Sequence, residues 1–535
     1  MSLALRVARR LPAPAAALLL AACATPPPAP SADGPPSLIV LTVVDQLTPE
    51  LLDRYDGLFT RGLRRLRDEG LRFVNATHDH AITHTAAGHT TLGTGVYPAR
   101  HGIVGNTWYV RDGAEWRAVY SMEDPEQAIL GYPDLPGRGP GNIAREGLAD
   151  WVLAHDPEAR VVSISKKDRA AIGLAAHARG GVYWMADEGG EFITSEYYRS
   201  DYPEWIARFN REVLPRVYAD TIWESRVPAG ARALSRPDTA AYEFDGEHVA
   251  FPHRPSDRVD PSGPGALPHW RYEYTPFPDR AVAELAIEAL RALELGRRGH
   301  VDYLAVSFSQ TDLVGHYFGP GSREQLDNLL RLDVELGRLL DALDREVGRG
   351  RWVLALSADH GVLDAPEYLA ASGVDAERLD RADRDALIRA LQSADEPDAR
   401  KRAVLSLPFV ASAYTFEEIE RAAPPDSFAV LFARSHSRER VGSLSARFGL
   451  YVRYRPYVLD WAAPTATHGT PYLYDRHVPL VFLGAGVRAG TADEAVATVD
   501  VAPTLARLAG IPAPPDLDGA PIARLRPSTT REGRP

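Results

Sequence analysis

The chain has 535 residues, of which 45% are hydrophobic and 25% charged, a composition typical of a soluble globular protein with a substantial core. Its formal net charge of −12 argues against a nucleic-acid-binding protein, which would normally present a basic face. The only cysteine is Cys23, so the body of the chain has neither a disulfide framework nor a thiolate metal site.

The N-terminus is predicted to be an export signal followed by a tether. Residues 1–22 combine a basic start, a short apolar stretch and small residues, a pattern typical of a secretory signal and too short to span a bilayer. The run LAAC that ends at Cys23 resembles a bacterial lipobox, so we expect Cys23 to carry a lipid. Residues 23–36, rich in Pro and Ala, would then form an extended tether. The alternative is a plain signal peptide with an incidental cysteine.

This leader also predicts where the protein resides. We expect export and a lipid anchor in a bacterial membrane, with the body facing the periplasm or the cell exterior. Alanine rather than aspartate follows Cys23, which favours the outer membrane where the host has one.

Helix signals follow in chain order. Thr48 and Pro49 give an N-cap and a first-turn proline, and a second helix is expected to stop at Gly70. A long amphipathic helix is predicted over roughly Arg323–Val347, with Ser322 and Gln325 as its capping box. Its buried stripe would consist of leucines 326, 329, 330, 336, 339, 340 and 343.

Short apolar runs between these helices predict buried strands at Ser37–Val44, Arg160–Ser165, Asp302–Phe308, Trp352–Ala358 and Val478–Leu483. Alternating strands and helices predict an α/β fold, a three-layer α/β/α sandwich with a mostly parallel central sheet. Residues at about 180–280 and 363–460 fit this alternation poorly. We interpret them as cap insertions within a single catalytic domain spanning residues 37–535.

Potential metal ligands lie just beyond several of these strands. In open α/β sheets the active site lies beyond the carboxyl ends of the strands, so these side chains are expected to converge. Any one of them alone is more often a helix cap or an ordinary core residue, but a set drawn from four loop segments predicts a metal centre. Nitrogen and oxygen ligands without thiolates suit zinc at a catalytic site, although other divalent ions also fit. The candidates are Asp45, Asp312, His316, Asp359, His360 and His468.

Thr85 is the candidate nucleophile, within the segment THTAAGH at 83–89. Small residues after Thr85 allow close backbone approach, and a helix beginning there would direct its positive end at a phosphate. A free threonine hydroxyl is a poor nucleophile, so it needs a metal to hold it as the alkoxide. Taken alone, such a threonine is more often a helix N-cap.

Together these motifs resemble the alkaline phosphatase superfamily, most closely its PafA-type alkaline phosphatases, which are related to nucleotide pyrophosphatases and phosphodiesterases. The resemblance runs from Leu38 to about Pro521. The ordered segments that carry it are 44–46, 85–89, 101–106, 165–169, 312–316, 359–361 and 468–470.

The resemblance implies two zinc ions, whose typical separation in such paired sites is roughly 3.5–4 Å. One would be held by Asp312, His316 and His468. The other would be held by Asp45, Asp359, His360 and the oxygen of Thr85. Thr85 would attack phosphorus in line and become phosphorylated.

Three further residues bear on the type of ester. A monoester transition state offers three non-bridging oxygens, so extra cationic donors raise its rate. Asn106, Lys167 and Arg169 match the monoesterase pattern of the family. The chain has only three lysines, Lys166, Lys167 and Lys401, and Lys167 falls where the family uses lysine. The alternative is that Lys167 and Arg169 lie on a solvated turn.

Five other histidines crowd the same segments and are expected to support the site rather than bind metal: His78, His80, His84, His89 and His101. The function expected from the resemblance is a zinc-dependent alkaline phosphatase acting on small phosphorylated substrates. The main alternative is a nucleotide pyrophosphatase or phosphodiesterase with the same metals. A remote one is a non-catalytic lipoprotein that binds phosphorylated ligands.

Overall fold

The computed structural model describes residues 34–187, 190–218, 222–254, 273–424, 427–460 and 463–527. The predicted signal peptide at 1–22, the lipidation site Cys23 and most of the tether at 23–36 lie outside the described residues. Among the described residues, no helix has the length and apolarity that a membrane span requires.

The centre of the fold is a nine-stranded sheet in the order β15-β2-β14-β9-β1-β8-β5-β6-β7. In the described ranges the strands are β1 (Leu38–Val44), β2 (Leu71–Thr77), β3 (Thr107–Asp112), β4 (Glu115–Tyr120), β5 (Val161–Ser165), β6 (Gly181–Met185), β7 (Phe192–Ile193), β8 (Asp302–Phe308), β9 (Trp352–Ser357), β10 (Glu377–Arg378), β11 (Val410–Thr415), β12 (Leu450–Tyr454), β13 (Val458–Leu459), β14 (Leu480–Gly484) and β15 (Gly490–Ala497). Most neighbours in the sheet are parallel, and β14 and β7 are the antiparallel members. The predicted mostly parallel sheet is therefore confirmed.

Helices cover both faces of this sheet. They are α1 (Pro49–Tyr55), α2 (Gly62–Glu69), α3 (Thr85–Thr94), α4 (Pro98–His101), α5 (Leu148–His155), α6 (Asp168–Ala175), α7 (Glu204–Arg208), α8 (Leu214–Val217), α9 (Phe277–Ala292), α10 (Gln310–Phe318), α11 (Arg323–Leu343), α12 (Pro366–Ala371), α13 (Arg381–Gln392), α14 (Pro397–Leu405), α15 (Phe416–Glu420), α16 (Ser427–Ala433), α17 (Leu473–Arg476) and α18 (Val501–Ala509). Helices α2, α9 and α11 pack on one face, and α3, α5, α6 and α18 pack on the other.

Strand β1 shows why the sequence folds this way. Val40 and Val44 join the core beneath α11, whereas Leu41 and Val43 point the other way and join the core beneath α18. Since successive side chains of a strand face opposite sides, an unbroken apolar run fits only a strand covered on both faces. Burying so much apolar surface on both sides fixes β1 at the centre of the three layers.

The predicted helices are largely confirmed. Thr48 caps α1 by accepting a hydrogen bond from the Leu51 amide at 3.3 Å. Ser322 caps α11 in the same way, accepting from the Gln325 amide at 3.0 Å. The predicted capping box is wrong in its second half, because the Gln325 side chain donates to the carbonyl of Thr311 at 2.6 Å instead of returning to Ser322.

The two predicted insertions differ in character. The segment assigned to 180–280 begins too early, because β6 and β7 extend the central sheet at 181–193. The apolar run at β6 is completely buried, which is the signature of a sheet strand rather than of a cap. The segment 363–460 contributes no strand to the central sheet among the described residues and contains the small sheets β10-β13 and β11-β12.

Candidate active site

The site lies at the carboxyl ends of three adjacent strands. In the sheet β1 pairs in parallel with β8 on one side and β9 on the other. Asp45 directly follows β1, Asp312 lies in the first turn of α10 after β8, and Asp359 lies two residues beyond β9. Because parallel strands end at the same edge, these three carboxylates meet there, as the sequence predicts.

Asp312, His316 and His468 form the first ligand cluster, with one potential ligand atom from each lying within 4.8 Å of the others. His316 Nε2 lies 3.1 Å from Asp312 Oδ1, and His468 Nε2 lies 3.6 Å from the same oxygen. Asp312 and His316 share one face of α10 because they are four residues apart.

Backbone carbonyls orient both histidines of this cluster. His316 Nδ1 lies 2.8 Å from the carbonyl of Ala466, and His468 Nδ1 lies 2.6 Å from the carbonyl of Thr83. A carbonyl only accepts, so each Nδ1 carries a proton, and Nε2 is the nitrogen that each ring directs at Asp312. This is the arrangement in which imidazole binds a metal.

Asp45, Asp312 and His360 form the second cluster, again with ligand atoms within 4.8 Å of one another. Asp359 joins it, because its Oδ2 lies 3.2 Å from His360 Nε2. Asp45 Oδ1, Asp359 Oδ2 and His360 Nε2 are buried and have no hydrogen-bond partner. Buried polar atoms without partners are rare, and three that face one another fit a divalent cation. The residues of both clusters therefore fit the metal centre that the family implies.

The pKa shifts of the carboxylates also fit a cation at this site. Burial and the charges of Asp312 and Asp359 raise the pKa of Asp45 well above its usual range. Burial also opposes ionisation of Asp312, but His316 and Lys167 outweigh it and hold the pKa of Asp312 well below its usual range. Three buried carboxylates this close together therefore require positive charge between them.

Lys167 supplies part of that charge. Its Nζ lies 2.5 Å from Asp45 Oδ2 and 2.5 Å from Asp312 Oδ2, so it sits between the two ligand clusters. Burial opposes its charge, but Asp312 and Asp45 prevail and raise the pKa of Lys167. At 6% exposure, Lys167 is not on a solvated turn, and that alternative is wrong for it.

Thr85 is the first residue of α3, and its side chain is buried. His84 occupies the N-cap position, so the reading of Thr85 as an N-cap is wrong. Within the described residues the Thr85 hydroxyl makes no hydrogen bond, whereas the next amide, that of Ala86, donates to Asn106 Oδ1 at 2.8 Å. The hydroxyl therefore lies at the positive end of α3 and is available to react.

Helix α3 is locked against the ligand strands. His89 Nδ1 lies 2.9 Å from the Thr85 carbonyl and 3.1 Å from Asp359 Oδ2, and its Nε2 lies 2.8 Å from Ser307 Oγ. Gly88 lies so close to the backbone of Asp359 that a Cβ there would be 2.1 Å from the Asp359 carbonyl oxygen. The small residue after Thr85 thus permits the close approach that the sequence suggests.

Arg169 is the remaining candidate for anion binding. Its Nε is buried and makes no hydrogen bond, and Tyr120, Asp168 and, less strongly, Asp45 favour its charged form. The neighbouring Asp168 is held by the Tyr120 hydroxyl at 2.5 Å and by Arg138 Nε at 2.7 Å. The Nε of Arg169 is thus the atom of its guanidinium that is left for another anion.

The other crowded histidines have structural contacts. His78 bonds the Ala358 carbonyl and the Thr498 hydroxyl, both at 2.9 Å, and His101 bonds Thr91 Oγ1 at 3.1 Å. Both nitrogens of His80 are buried without a partner. Burial lowers the pKa of His84 to about 4, so this ring beside Thr85 is neutral at physiological pH.

Sequence reasoning missed two supporting residues. Gln46 has a φ of 68°, which is uncommon for a residue other than glycine. This turn lets its amide donate to Asp359 Oδ1 at 3.1 Å and its side chain donate to Asp312 Oδ1 at 2.7 Å, which ties the two clusters together. Asp475 accepts from the Thr470 amide and hydroxyl at 2.8 and 2.7 Å and anchors the loop that carries His468. No periodicity marks either residue, although Gln46 directly follows the ligand Asp45.

Comparison with known proteins identifies the family. The model of the type I phosphodiesterase / nucleotide pyrophosphatase family matches residues 38–407. The chain belongs to this family. Alkaline phosphatase PafA of Elizabethkingia meningoseptica is 28% identical over 92% of the chain and 94% of the relative. Alkaline phosphatase PhoV of Synechococcus elongatus is 30% identical over 92% of the chain and 93% of the relative.

The protein is therefore an alkaline-phosphatase-like hydrolase. The resemblance predicted from its sequence is confirmed. The crystal structure of wild-type PafA superposes with a TM-score of 0.83 at 28% identity, covering 92% of the chain and 99% of PafA. This confirms the predicted α/β fold. A second PafA structure, of a mutant with one threonine, one asparagine, one lysine and one arginine substituted, also gives 0.83 at 27% identity.

Proposed function

We propose that the protein is a two-metal phosphate monoesterase that uses zinc and forms a covalent phosphothreonine at Thr85. The observation that carries the proposal is the position of Thr85. An uncommitted hydroxyl lies at the start of α3, which His89 and Gly88 hold against the ligand strands. A merely phosphate-binding lipoprotein would need neither a free hydroxyl nor two complete ligand clusters.

The residues divide the work as follows. When bound, divalent ions at the two clusters would hold Thr85 as the alkoxide and neutralise charge on the departing ester oxygen. Thr85 Oγ forms the new bond to phosphorus while the bond to the ester oxygen opposite it breaks. Water then attacks the phosphothreonine, releasing phosphate and returning the hydroxyl. The carbonyls of Ala466 and Thr83 engage the Nδ1 protons of His316 and His468, so the Nε2 of each ring would be available to hold a bound ion.

The preference for monoesters rests on the groups around the transferred phosphoryl. We assign Asn106, Lys167 and Arg169 to its non-bridging oxygens, since a monoester presents three of them and a diester has one alkylated. Asn106 is fixed by the Ala86 amide next to Thr85, and Arg169 has a buried Nε without a partner. In support, the substituted residue types in the PafA mutant occur here in the same chain order, as Thr85, Asn106, Lys167 and Arg169.

A phosphodiesterase is the second candidate, because the family is described by that activity. Zinc-loaded enzyme should be assayed on an aryl monoester and on its bis-aryl diester, with Lys167→Ala beside it. We expect the monoester to be faster and Lys167→Ala to erode the preference. Lys166→Ala is the matched control, because this neighbouring buried lysine points to Glu273 at 3.8 Å instead. A diester preference, or an unchanged ratio in Lys167→Ala, would sink the monoesterase assignment.

Metal content and the phosphoenzyme can be measured directly. We expect elemental analysis to find two zinc ions per chain, and His316→Ala and His360→Ala each to lose one. Acid-quenched enzyme should show a phosphate on the peptide containing Thr85 by mass spectrometry, and Thr85→Ala should not. A phosphopeptide that persists in Thr85→Ala would remove this residue from its role.

We also propose that the protein is exported and attached to a bacterial membrane through lipid on Cys23. The membrane that we propose is the outer membrane. The support is the apolar run before Cys23 and its position as the only cysteine. Full-length protein should fractionate with membranes and Cys23→Ser should not, while mass spectrometry reports the lipid. Equal membrane association of the two would contradict the anchor.

A further inference from the structure

A cavity of about 260 Å³ adjoins the candidate active site. One wall consists of His84, Gly469 and Thr470, which stand next to Thr85 and His468 in the chain. The other wall belongs to the 363–460 insertion and includes β12 and the loop at 442–445. The cavity is therefore the space between the catalytic strands and the insertion.

Two segments of the candidate active site are in close contact on one side of this cavity. Gly469 has a φ of +116°, and a Cβ there would lie 2.9 Å from His84 Nε2. The backbone after His468 thus passes directly against the ring that precedes Thr85. The cavity therefore begins where the segments that carry Thr85 and His468 meet.

Apolar and aromatic side chains form most of the cavity surface, including Leu387, Leu444, Val458 and Tyr472. The volume is slightly below the roughly 300–1,000 Å³ of sites for drug-sized ligands, which suits a group of about one ring. The shape and the lining thus favour a compact, planar, apolar group.

Arg453 places a positive charge in the same cavity. Its Nε donates to Ser412 Oγ at 2.9 Å and its Nη1 donates to the Tyr472 hydroxyl at 2.5 Å. Its guanidinium lies 4.0 Å from the centre of the Phe428 ring. All of these partners are neutral, and no carboxylate among the described residues lies within ion-pair distance of Arg453. In the part of the chain that the structure describes, the guanidinium is therefore held in place without a neutralising carboxylate.

The other arginines of the lining differ in this respect. Arg455 is paired with Asp375 and Glu377, each at 2.9 Å. Arg384 shares the cavity with Asp460, which carries the opposite charge. Among the described residues, Arg453 thus differs from Arg455 in having no acidic partner.

We infer that this cavity receives the leaving group of the ester, and that Arg453 selects leaving groups that combine a planar apolar body with a negative charge. The inference rests on the proposed function, because the leaving oxygen lies opposite Thr85 only if Thr85 is the nucleophile. Arg453 is a specificity residue here. It contacts the part of the substrate that leaves and not the phosphoryl group.

The test compares two aryl phosphates whose phenols have matched acidity, one with a para carboxylate and one with a neutral para substituent. Matching the acidity removes the intrinsic difference in leaving-group reactivity. We expect kcat/KM to favour the carboxylated ester about tenfold, the size of one charge-assisted hydrogen bond at a partly exposed site. Arg453→Met, which keeps the apolar stem, should abolish the preference and leave kcat/KM for the neutral ester within about twofold.

Arg447→Met is the matched control, because Arg447 also lies over aromatic rings, those of Tyr109 and Trp116, but does not line the cavity. It should keep the preference. Product inhibition of the unaltered protein is a second test that does not depend on the folding of the Arg453 variant. The free carboxylated phenol should inhibit more strongly than the neutral phenol.

The outcomes separate the two proposals. Equal kcat/KM and equal inhibition for the two probes in the unaltered protein would overturn the leaving-group inference while the monoesterase assignment stands. A preference that survives in folded Arg453→Met would overturn the role of Arg453. No turnover of either monoester by the zinc-loaded enzyme would overturn both proposals.

Discussion

Replacing Gly88 with alanine tests whether Thr85 owes its position to close packing. Gly88 lies one turn into α3, and a Cβ there would meet the Asp359 carbonyl oxygen at 2.1 Å and the Asp359 carbonyl carbon at 2.8 Å. Both obstacles are backbone atoms of the strand end that carries a metal ligand. No flexible side chain can move aside to make room.

The size of the effect follows from these distances. Carbon atoms make favourable contact at about 3.5–4.0 Å, so α3 and the end of β9 would have to separate by at least about 1 Å. A displacement of that size between reacting groups costs about 100-fold in rate, or about 2.7 kcal/mol of activation free energy. Overpacking of a tight core typically costs about 1–3 kcal/mol of stability. The helix propensity that alanine gains, about 1 kcal/mol, offsets only part of this.

Gly57→Ala is the matched control, since nothing lies within 4 Å of the Cβ that it would add. For each variant we would measure kcat/KM on an aryl phosphate, bound zinc, and the free energy of unfolding in urea. Gly88→Ala should lose about 100-fold in kcat/KM, and Gly57→Ala should match the unaltered protein. If Gly88→Ala kept kcat/KM within about threefold of that of Gly57→Ala, the packing argument for Thr85 would be refuted.

Three further predictions concern the supports of the site and of the sheet. His89→Ala removes the contacts of His89 with Thr85 and Asp359. The affinity of the protein for zinc, measured by competition with a chelator, should therefore fall about 10–100-fold. An unchanged affinity would exclude a supporting role for His89. Asp333→Ala removes the acceptor of three amides at the start of α2, at 2.8, 2.9 and 2.7 Å, and should cost about 2 kcal/mol in urea unfolding without changing kcat/KM; a stability equal to that of the unaltered protein would contradict this. Burial raises the pKa of Asp150 from 3.8 to about 6, so its stabilisation is complete below pH 3.8 and is lost as the pH rises through 6. Asp150→Asn should therefore weaken the fall in unfolding free energy across this pH range, and parallel curves for the two proteins would disprove the shift.

The parts of the fold that the sequence predicts are those set by local pattern. The boundaries of β1 and β8 match the predicted runs within one residue, because unbroken apolar stretches between helix signals are unambiguous. The positions of the candidate ligands follow from the same source, since a residue directly after a buried parallel strand has to lie at the carboxyl edge. Asp45 and Asp359 were predictable for this reason.

What escaped prediction depends on contacts between distant segments. The left-handed backbone conformation of Gln46 could not be predicted, because no glycine marks it in the sequence. It allows Gln46 to donate hydrogen bonds to Asp312 and Asp359, which lie far along the chain. The position of the Lys167 ammonium between two carboxylates likewise depends on tertiary contacts. The cavity at Arg453 could not be predicted either, because its two walls come from segments more than 350 residues apart at His84 and Arg453.

The neighbouring strands β9 and β14 have a consequence for how this enzyme family diversifies. They pair antiparallel, with Ser357 opposite Leu480, so everything at 358–479 is one greatly enlarged hairpin loop. Closing a longer loop is cheap, at about 0.6 kcal/mol for each doubling of its length. The segment that bears Arg453 can therefore grow, shrink or be exchanged between relatives at little cost to the sheet. Only its two ends, which hold the candidate ligands Asp359, His360 and His468, are tied to the proposed metal centre, so the segment between them can change while that centre is kept.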